Sequence, residues 1–156
     1  MTMHRARLLG LTFLLLVSAP AVAADRPFKG SVSATWDNIF LGLVAPPATF
    51  LGGGPTTHMG KTIQTGNLFL EAPIGPGVFP GYGTVTITAA NGDSVTFDYV
   101  GILNALTGEG TGTFLFTGGT GRFANVTGSG TFYALIDTSL PDNQPMTVEL
   151  DGTIDF

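Results

Sequence analysis

Few side chains of this sequence are of the types that transfer protons or bind metals, and they are scattered along the chain. His58 is the one histidine beyond the first 24 residues. A catalytic triad or a zinc site needs partner side chains, and none can be identified for it. A structural or surface histidine is therefore our first interpretation. A general acid or base at the open end of a β-barrel is the alternative.

The segment around Lys61 comes close to a phosphate-binding loop but does not match one. Gly54 to Thr62 reads Gly-Pro-Thr-Thr-His-Met-Gly-Lys-Thr, with five residues between the first glycine and the Gly-Lys pair. The motif requires four residues there and a helix behind it, and no helical pattern follows. We therefore expect no nucleotide site and interpret Lys61 as a solvated strand residue.

Metal and thiol chemistry are not expected either. The sequence has no cysteine, which excludes a thiol nucleophile and cysteine-based metal sites. Acids such as Asp98, Glu149 and Asp151 fall on the polar sides of their predicted strands, so we expect no carboxylate pair inside the fold. We predict no metal and no cofactor, and the catalytic residues of any activity are unknown.

Trp36 and Tyr99 stand out because each is an aromatic residue on the apolar face of a predicted strand. Such residues most often fill a core, but each carries a polar group that needs a partner when it is buried. The alternative is a cavity wall, where the Tyr99 hydroxyl or the Trp36 indole orients a ligand. Together with His58, these two residues are our candidates for a ligand cavity.

The first 24 residues have the three parts of a secretory signal peptide. Arg5 and Arg7 precede a ten-residue, nearly unbroken apolar run from Leu8 to Val17, and small residues end the segment at Ala23-Ala24. A membrane-spanning helix needs about 20 residues, so we predict a cleaved leader, residues 1–24, and no integral membrane span. The protein is then secreted or periplasmic.

Removal of the leader leaves residues 25–156, a length that suits one domain. Four basic residues then face eleven acidic ones, a formal charge of −7. Nucleic acids and anionic membranes reward clustered positive charge, so neither is expected as a partner. An exported domain without disulfides depends on packing and backbone hydrogen bonds alone, which favours a closed sheet.

Apolar and polar residues alternate with period two through most of residues 25–156, as in half-buried strands. The clearest case runs from Phe28 to Trp36. We predict further strands near 56–64, 66–71, 111–117, 128–137 and 146–154, and Pro/Gly-rich loops at Leu41–Pro55 and Ala72–Gly81. Seven or eight such strands with no helix must fold as a sandwich or a barrel.

The segment from Gly83 to Val100 predicts a β-hairpin. A two-residue loop at Asn91-Gly92 places the two apolar faces on opposite sides. A three-residue loop, Ala90 to Gly92, pairs Ile87 with Val95 and makes one face apolar throughout. Since the buried face sets the register, we predict the three-residue loop, with Gly92 in the left-handed conformation.

One turn carries a family resemblance. Phe116 to Gly128 places two glycines, a threonine, a glycine, an aromatic residue and a further glycine in the order Gly118, Gly119, Thr120, Gly121, Phe123 and Gly128. The glycines permit a tight reversal, and Phe123 can plug a barrel end. This pattern resembles the signature turn shared by allene oxide cyclases and plant dirigent proteins, with a sharp match over about 13 residues. An unrelated β-sandwich with a glycine-rich turn is the alternative.

The resemblance implies an all-β fold, an antiparallel eight-stranded closed barrel of calycin-like type with an apolar cavity, often assembled as a homotrimer. It also implies a cofactor-independent cyclase or isomerase, but the catalytic residues of that group lie outside the shared turn and none can be placed here. Our leading expectation is therefore a barrel that binds a small apolar ligand or acts through its surface. The enzyme and a structural or adhesive extracellular module are the alternatives.

Overall fold

A computed structural model describes residues 25–43 and 47–156. The predicted signal peptide lies outside the described residues. The described chain forms eight strands and two short 3₁₀ helices. The strands are β1 (Arg26–Trp36), β2 (Ala48–Thr56), β3 (Gly60–Leu70), β4 (Val78–Ala89), β5 (Ser94–Asn104), β6 (Glu109–Gly119), β7 (Ser129–Ile136) and β8 (Gln144–Ile154). The 3₁₀ helices are Ile39–Leu43 and Gly121–Phe123.

The strands form a closed barrel. Each strand pairs antiparallel with the next along the chain, and β8 pairs with β1 from Arg26↔Ile154 to Trp36↔Gln144. The predicted antiparallel eight-stranded closed barrel is confirmed, and the sandwich alternative is wrong. Because the pairing is circular, none of these eight strands has a free edge.

Successive strands run up and down, so their connecting loops alternate between two ends of the barrel. We call the end with the β1–β2, β3–β4, β5–β6 and β7–β8 loops the mouth. The other end, which we call the closed end, has the β2–β3, β4–β5 and β6–β7 loops, the start of β1 and the end of β8. This division decides which residues can meet.

Phenylalanine side chains fill the half of the barrel nearer the closed end. Phe28 is fully buried, and its ring meets those of Phe114 and Phe116 edge to face, with centroids 6.0 and 5.0 Å apart. Phe97 packs against Phe114 at 4.8 Å. Edge-to-face contacts add to the stabilisation from burial alone, so this cluster anchors the fold.

The alternation predicted for β1 is confirmed, since every second residue from Phe28 to Trp36 is buried and the residues that alternate with them face outward. The hairpin prediction is confirmed as well. Ile87 pairs with Val95, the Ala89 amide bonds to Asp93 across a three-residue loop, and Gly92 has φ +89°. Period two and turn chemistry therefore predicted these elements correctly.

The prediction that Leu41–Pro55 forms a loop is wrong for its second half, which is β2. The glycines of β2 allow β1 and β2 to approach each other closely. A Cβ on Gly52 would collide with the Ser33 carbonyl oxygen of β1, and one on Gly54 with that of Ser31. Glycine in a strand often marks such an approach of another backbone, and composition alone does not distinguish it from a loop.

Two other boundaries also differ from the prediction. The segments predicted at 56–64 and 66–71 form one strand, β3, after a turn at residues 57–59. β4 begins at Val78, inside the segment predicted as the Ala72–Gly81 loop. The continuous β3 matters for function, because it sets which of its side chains face the interior.

Candidate functional site

A cavity of about 90 Å³ lies inside the barrel on the mouth side of the phenylalanine cluster. Glycines at inward positions of three adjacent strands make room for it: Gly81 of β4, Gly101 of β5 and Gly110 of β6. Nearer the closed end the same three strands carry Ile87, Phe97 and Phe116. The cavity therefore lies where these three strands carry glycine on their inward faces, among apolar side chains of the other strands.

Trp36 and Tyr99 both line this cavity. The Trp36 indole Nε1 donates to the sulfur of Met146 at 2.9 Å, and its ring meets Phe50 edge to face at 4.8 Å. These contacts fix the plane of the indole at the cavity wall. Trp36 is also the only tryptophan of the chain, so its fluorescence reports on this cavity alone.

The Tyr99 hydroxyl donates to the Asn67 carbonyl oxygen at 2.8 Å, and its ring packs edge to face on Phe132 at 5.5 Å. Burial raises the pKa of the Tyr99 phenol well above its usual range. Desolvation disfavours the phenolate, so the group stays neutral at physiological pH and offers the cavity a polar but uncharged wall.

Gln64 is a third polar group of the wall and is only 2% exposed. The Thr62 hydroxyl donates its one proton to the Gly54 carbonyl oxygen at 2.9 Å. It must therefore accept from Gln64, whose Nε2 lies 3.3 Å away. This orients the carboxamide and leaves Gln64 Oε1 with no donor among the described residues, so the oxygen is available to a ligand.

Sequence reasoning missed Gln64 because the segment was divided after it. Had β3 been taken as one strand, Thr62, Gln64, Leu68 and Leu70 would have shared its inward face. A glutamine in an otherwise apolar inward row is then a visible signal. A second buried glutamine, Gln144, was missed because it lies just before the strand predicted at 146–154.

Gln144 holds two of the mouth loops together. It is fully buried, its Oε1 accepts the Ile39 amide at 2.8 Å, and its Nε2 donates to the Leu140 carbonyl at 2.7 Å. Ile39 begins the first 3₁₀ helix and Leu140 lies in the β7–β8 loop. One side chain therefore positions both segments beside the cavity.

His58 is not part of the cavity, contrary to its place among the candidates. It lies in the β2–β3 turn at the closed end, is exposed, and has φ +65°. Its Nε2 lies 3.0 Å from the Pro27 carbonyl oxygen, and its ring contacts that of Phe156. The structure therefore places His58 at the opposite end from the mouth.

The glycine-rich turn also lies at the closed end. Gly121 and Gly128 have φ of +57° and +127°, whereas Gly118 and Gly119 do not have positive φ. Phe123 is fully buried and packs against Phe156 with centroids 4.6 Å apart. The Thr120 hydroxyl accepts from the Ser94 amide at 3.0 Å. The turn therefore seals the barrel and does not line the cavity.

Each of the four mouth loops carries at least one exposed large apolar side chain. These side chains are Phe40, Leu43, Ile74, Leu106 and Leu140. The structure describes all of the closed-end loops, and none of them carries an exposed large apolar side chain. We call these five residues the apolar rim. A surface groove of about 400 Å³ at the mouth ends of β7 and β8 shares Ile136 and Met146 with the cavity wall.

In residues 25–43 and 47–156 no helix is long and apolar enough to cross a membrane. Over the same residues no three His, Asp or Glu side chains gather in an arrangement that could hold a metal ion.

Comparison with known proteins gives a likeness of fold. No protein-family profile and no curated protein matches the sequence. Among solved structures, the chain is similar to a pterocarpan synthase dirigent protein, with 9% sequence identity and a TM-score of 0.48 over 85% of this chain and 86% of that one. The fold and cavity described above define the class of this protein, a closed antiparallel β-barrel with a cavity at one end.

Proposed function

We propose that this protein is an exported barrel that binds a small apolar ligand in the cavity at its mouth. The observation that carries the proposal is the row of inward glycines, Gly81, Gly101 and Gly110, in a barrel otherwise packed with phenylalanine and aliphatic side chains. An eight-stranded barrel can fill its interior with side chains or hold one small ligand. An apolar cavity bordered by glycines of three neighbouring strands favours the second.

The size and polarity of the cavity limit what it can take. A dry cavity of about 150 Å³ accommodates benzene, so 90 Å³ suits a short alkyl chain or a smaller group. A longer ligand extends past the apolar rim or into the adjoining groove. Gln64 and Tyr99 provide the few polar contacts that orient a ligand in a mostly apolar pocket.

Filling the cavity at Gly110 is expected to weaken ligand binding while the fold gains stability. A Cβ at this position meets only the Cβ of Ala134, at 3.4 Å, and its φ is not positive. Gly110→Ala therefore raises the free energy of unfolding by about 0.4–1 kcal/mol. The added methyl group overpacks a bound ligand at a cost of about 1–3 kcal/mol. We therefore expect the affinity for hexanol to fall about tenfold, which a titration monitored by Trp36 fluorescence measures.

Gly118→Ala is the matched control. A Cβ there has nothing within 4 Å, its φ is not positive, and the position lies at the closed end. It is expected to gain similar stability and to bind hexanol as the unaltered protein does. Equal hexanol affinities for Gly110→Ala and Gly118→Ala would show that the ligand does not occupy the cavity.

Export is the other part of the proposal. Its support is the leader pattern of residues 1–24 together with a barrel whose β1–β8 pairing is complete from Arg26 onward.

When the full chain is expressed in a bacterial host, we expect N-terminal sequencing of the exported protein to begin at Ala24 or Asp25. Leu15→Arg, in the apolar run, is expected to leave the uncut precursor inside the cell. A Met1 terminus on exported protein would contradict cleavage.

Three expectations from the sequence stay predictions. They are the cyclase or isomerase activity and the homotrimer, which the resemblance implies, and the adhesive role. No described residue of the cavity wall pairs a nucleophile with a base, so the binding function is the one the geometry supports best. If a reaction occurs here, the protein's contribution is orientation in a shaped cavity, and the cavity-filling variant at Gly110 lowers its rate as well.

A further inference from the structure

The geometry points to a ligand chosen by charge: the mouth admits neutral or cationic amphiphiles, with a hydroxyl or amine head group, and disfavours carboxylates. This inference rests on the proposed function, because it concerns the same cavity. It adds the chemical class of the ligand, which neither the sequence pattern nor the fold supplies.

Charges are segregated between the two ends of the barrel. The mouth loops and the strand residues next to them carry five exposed carboxylates, at Asp37, Glu71, Glu109, Asp137 and Asp142. The basic residues of the described chain, Arg26, Lys29, Lys61 and Arg122, all lie at the closed end. The undescribed part of the β1–β2 loop, residues 44–46, contains no ionisable side chain. The mouth is therefore negative on every side.

The carboxylates are interleaved with the apolar rim in a regular way. Each mouth loop has an acid three residues from an exposed apolar side chain. The four pairs are Asp37 with Phe40, Glu71 with Ile74, Glu109 with Leu106, and Asp137 with Leu140. A ligand that places its apolar body among the rim residues and in the cavity therefore brings its head group beside carboxylates.

Hydrogen bonds stabilise the negative charge of Asp137, one of the mouth carboxylates. The Ser139 hydroxyl donates to its Oδ1 at 2.5 Å and the Ser139 amide at 3.1 Å. These hydrogen bonds favour the ionised form and lower the pKa of the Asp137 carboxyl. Glu71 and Asp142 make no side-chain hydrogen bond with other described residues, so they can be neutralised without loss of a structural contact.

The size of the effect follows from the dimensions of the barrel. Eight strands about 4.8 Å apart and tilted by about 36–45° give a diameter of about 15 Å. The strand backbones are then about 8 Å from a head group on the axis, close to one Debye length at physiological ionic strength, and the outward-facing carboxylates lie a few ångströms farther away. Five partly screened charges at that distance together separate an ammonium from a carboxylate by about tenfold in affinity.

The interior of the cavity favours the same head groups. Gln64 Oε1 accepts no hydrogen bond from the described residues, since the carboxamide nitrogen is the atom that bonds to Thr62. The oxygen keeps some accessible surface, because no fully buried side-chain N or O atom of the described residues lacks a partner. A hydroxyl or ammonium can donate to it, whereas a carboxylate can only accept. Gln64 and the negative mouth act on opposite orientations of the ligand. The mouth carboxylates act when the head group stays at the mouth, Gln64 acts when the head group enters the cavity, and a carboxylate is disfavoured in each case.

Three probes with the same alkyl chain test this: hexylamine, hexanol and hexanoate, titrated at neutral pH with Trp36 fluorescence and, independently, calorimetry. We expect hexylamine to bind about tenfold more tightly than hexanoate at 0.15 M salt, with hexanol between them. The ratio should grow at 0.01 M salt and fall at 1 M, where the Debye length is about 3 Å and only the contribution of Gln64 is left.

Two matched double variants locate the effect. Glu71→Gln with Asp142→Asn removes two of the five mouth carboxylates and should lower the hexylamine-to-hexanoate ratio to about fourfold. Glu149→Gln with Asp155→Asn makes the same change of net charge toward the closed end and should leave the ratio near tenfold. An equal ratio in both variants overturns charge selection at the mouth.

The remaining outcomes separate this inference from the proposed function. Hexanoate binding as tightly as hexylamine overturns the charge selection, while ligand binding in the cavity stands. If none of the three probes binds by either method, the proposed function fails, and the inference fails with it.

Discussion

Phe28→Ala lowers the free energy of unfolding by about 3–5 kcal/mol. Phe28 is fully buried at the start of β1 and its ring is wedged against those of Phe114 and Phe116. Its removal leaves a void that the neighbours cannot close, because they belong to a circular sheet whose strands cannot move independently. Denaturation in urea, followed by circular dichroism, should show a lower midpoint with an unchanged slope.

Phe40→Ala is the control for this prediction. The same chemical change is made at an exposed residue of the apolar rim, where it is expected to alter the free energy of unfolding by no more than about 0.5 kcal/mol. If the two variants shift the midpoint equally, the phenylalanine cluster is not the anchor of the barrel.

Gln144→Leu is expected to cost about 2–4 kcal/mol, since it removes the side-chain partner of the buried Ile39 amide and of the half-buried Leu140 carbonyl while keeping the volume of the side chain. The Ile39 amide and the Leu140 carbonyl now bond to Gln144, and leucine can satisfy neither. Besides the lower unfolding midpoint, hydrogen exchange at the Ile39 amide should become faster, because the first 3₁₀ helix is no longer tied to β8.

The other buried glutamine provides the comparison. Gln64→Leu removes a single side-chain hydrogen bond to Thr62, whose hydroxyl still donates to the Gly54 carbonyl. Its expected cost is about 1 kcal/mol or less. A cost equal to that of Gln144→Leu would contradict the assignment of Gln144 as the tie between the mouth loops.

The parts of the fold that the sequence predicts are those governed by local rules. The apolar face of β1 and the register at Ile87 and Val95 follow from alternation and from the conformation available to Gly92. β2 was missed because its glycines resemble a loop by composition, whereas they are required by the approach of β1. That approach involves residues about 20 positions away along the chain, which no local pattern reveals.

The candidate site depends still more on the pairing of strands. Trp36 and Tyr99 were placed on inward faces correctly, but the room beside them comes from Gly81, Gly101 and Gly110, which become neighbours only once the sheet is formed. His58 was a candidate because the sequence alone does not show at which end of the barrel it lies. In an up-and-down barrel alternate loops share an end, so the charge segregation becomes visible as soon as the strand order is known.

The β1–β8 pairing also determines how this chain must reach its folded state. It joins residues more than 100 positions apart, from Arg26 with Ile154 to Trp36 with Gln144, whereas every other strand pair joins sequence neighbours. The hairpins can therefore form early, and the entropic cost of loop closure falls on this last seam. Until it closes, β1 and β8 present bare backbone edges that can pair with other chains, so the interval before closure is when the nascent barrel is most exposed to aggregation.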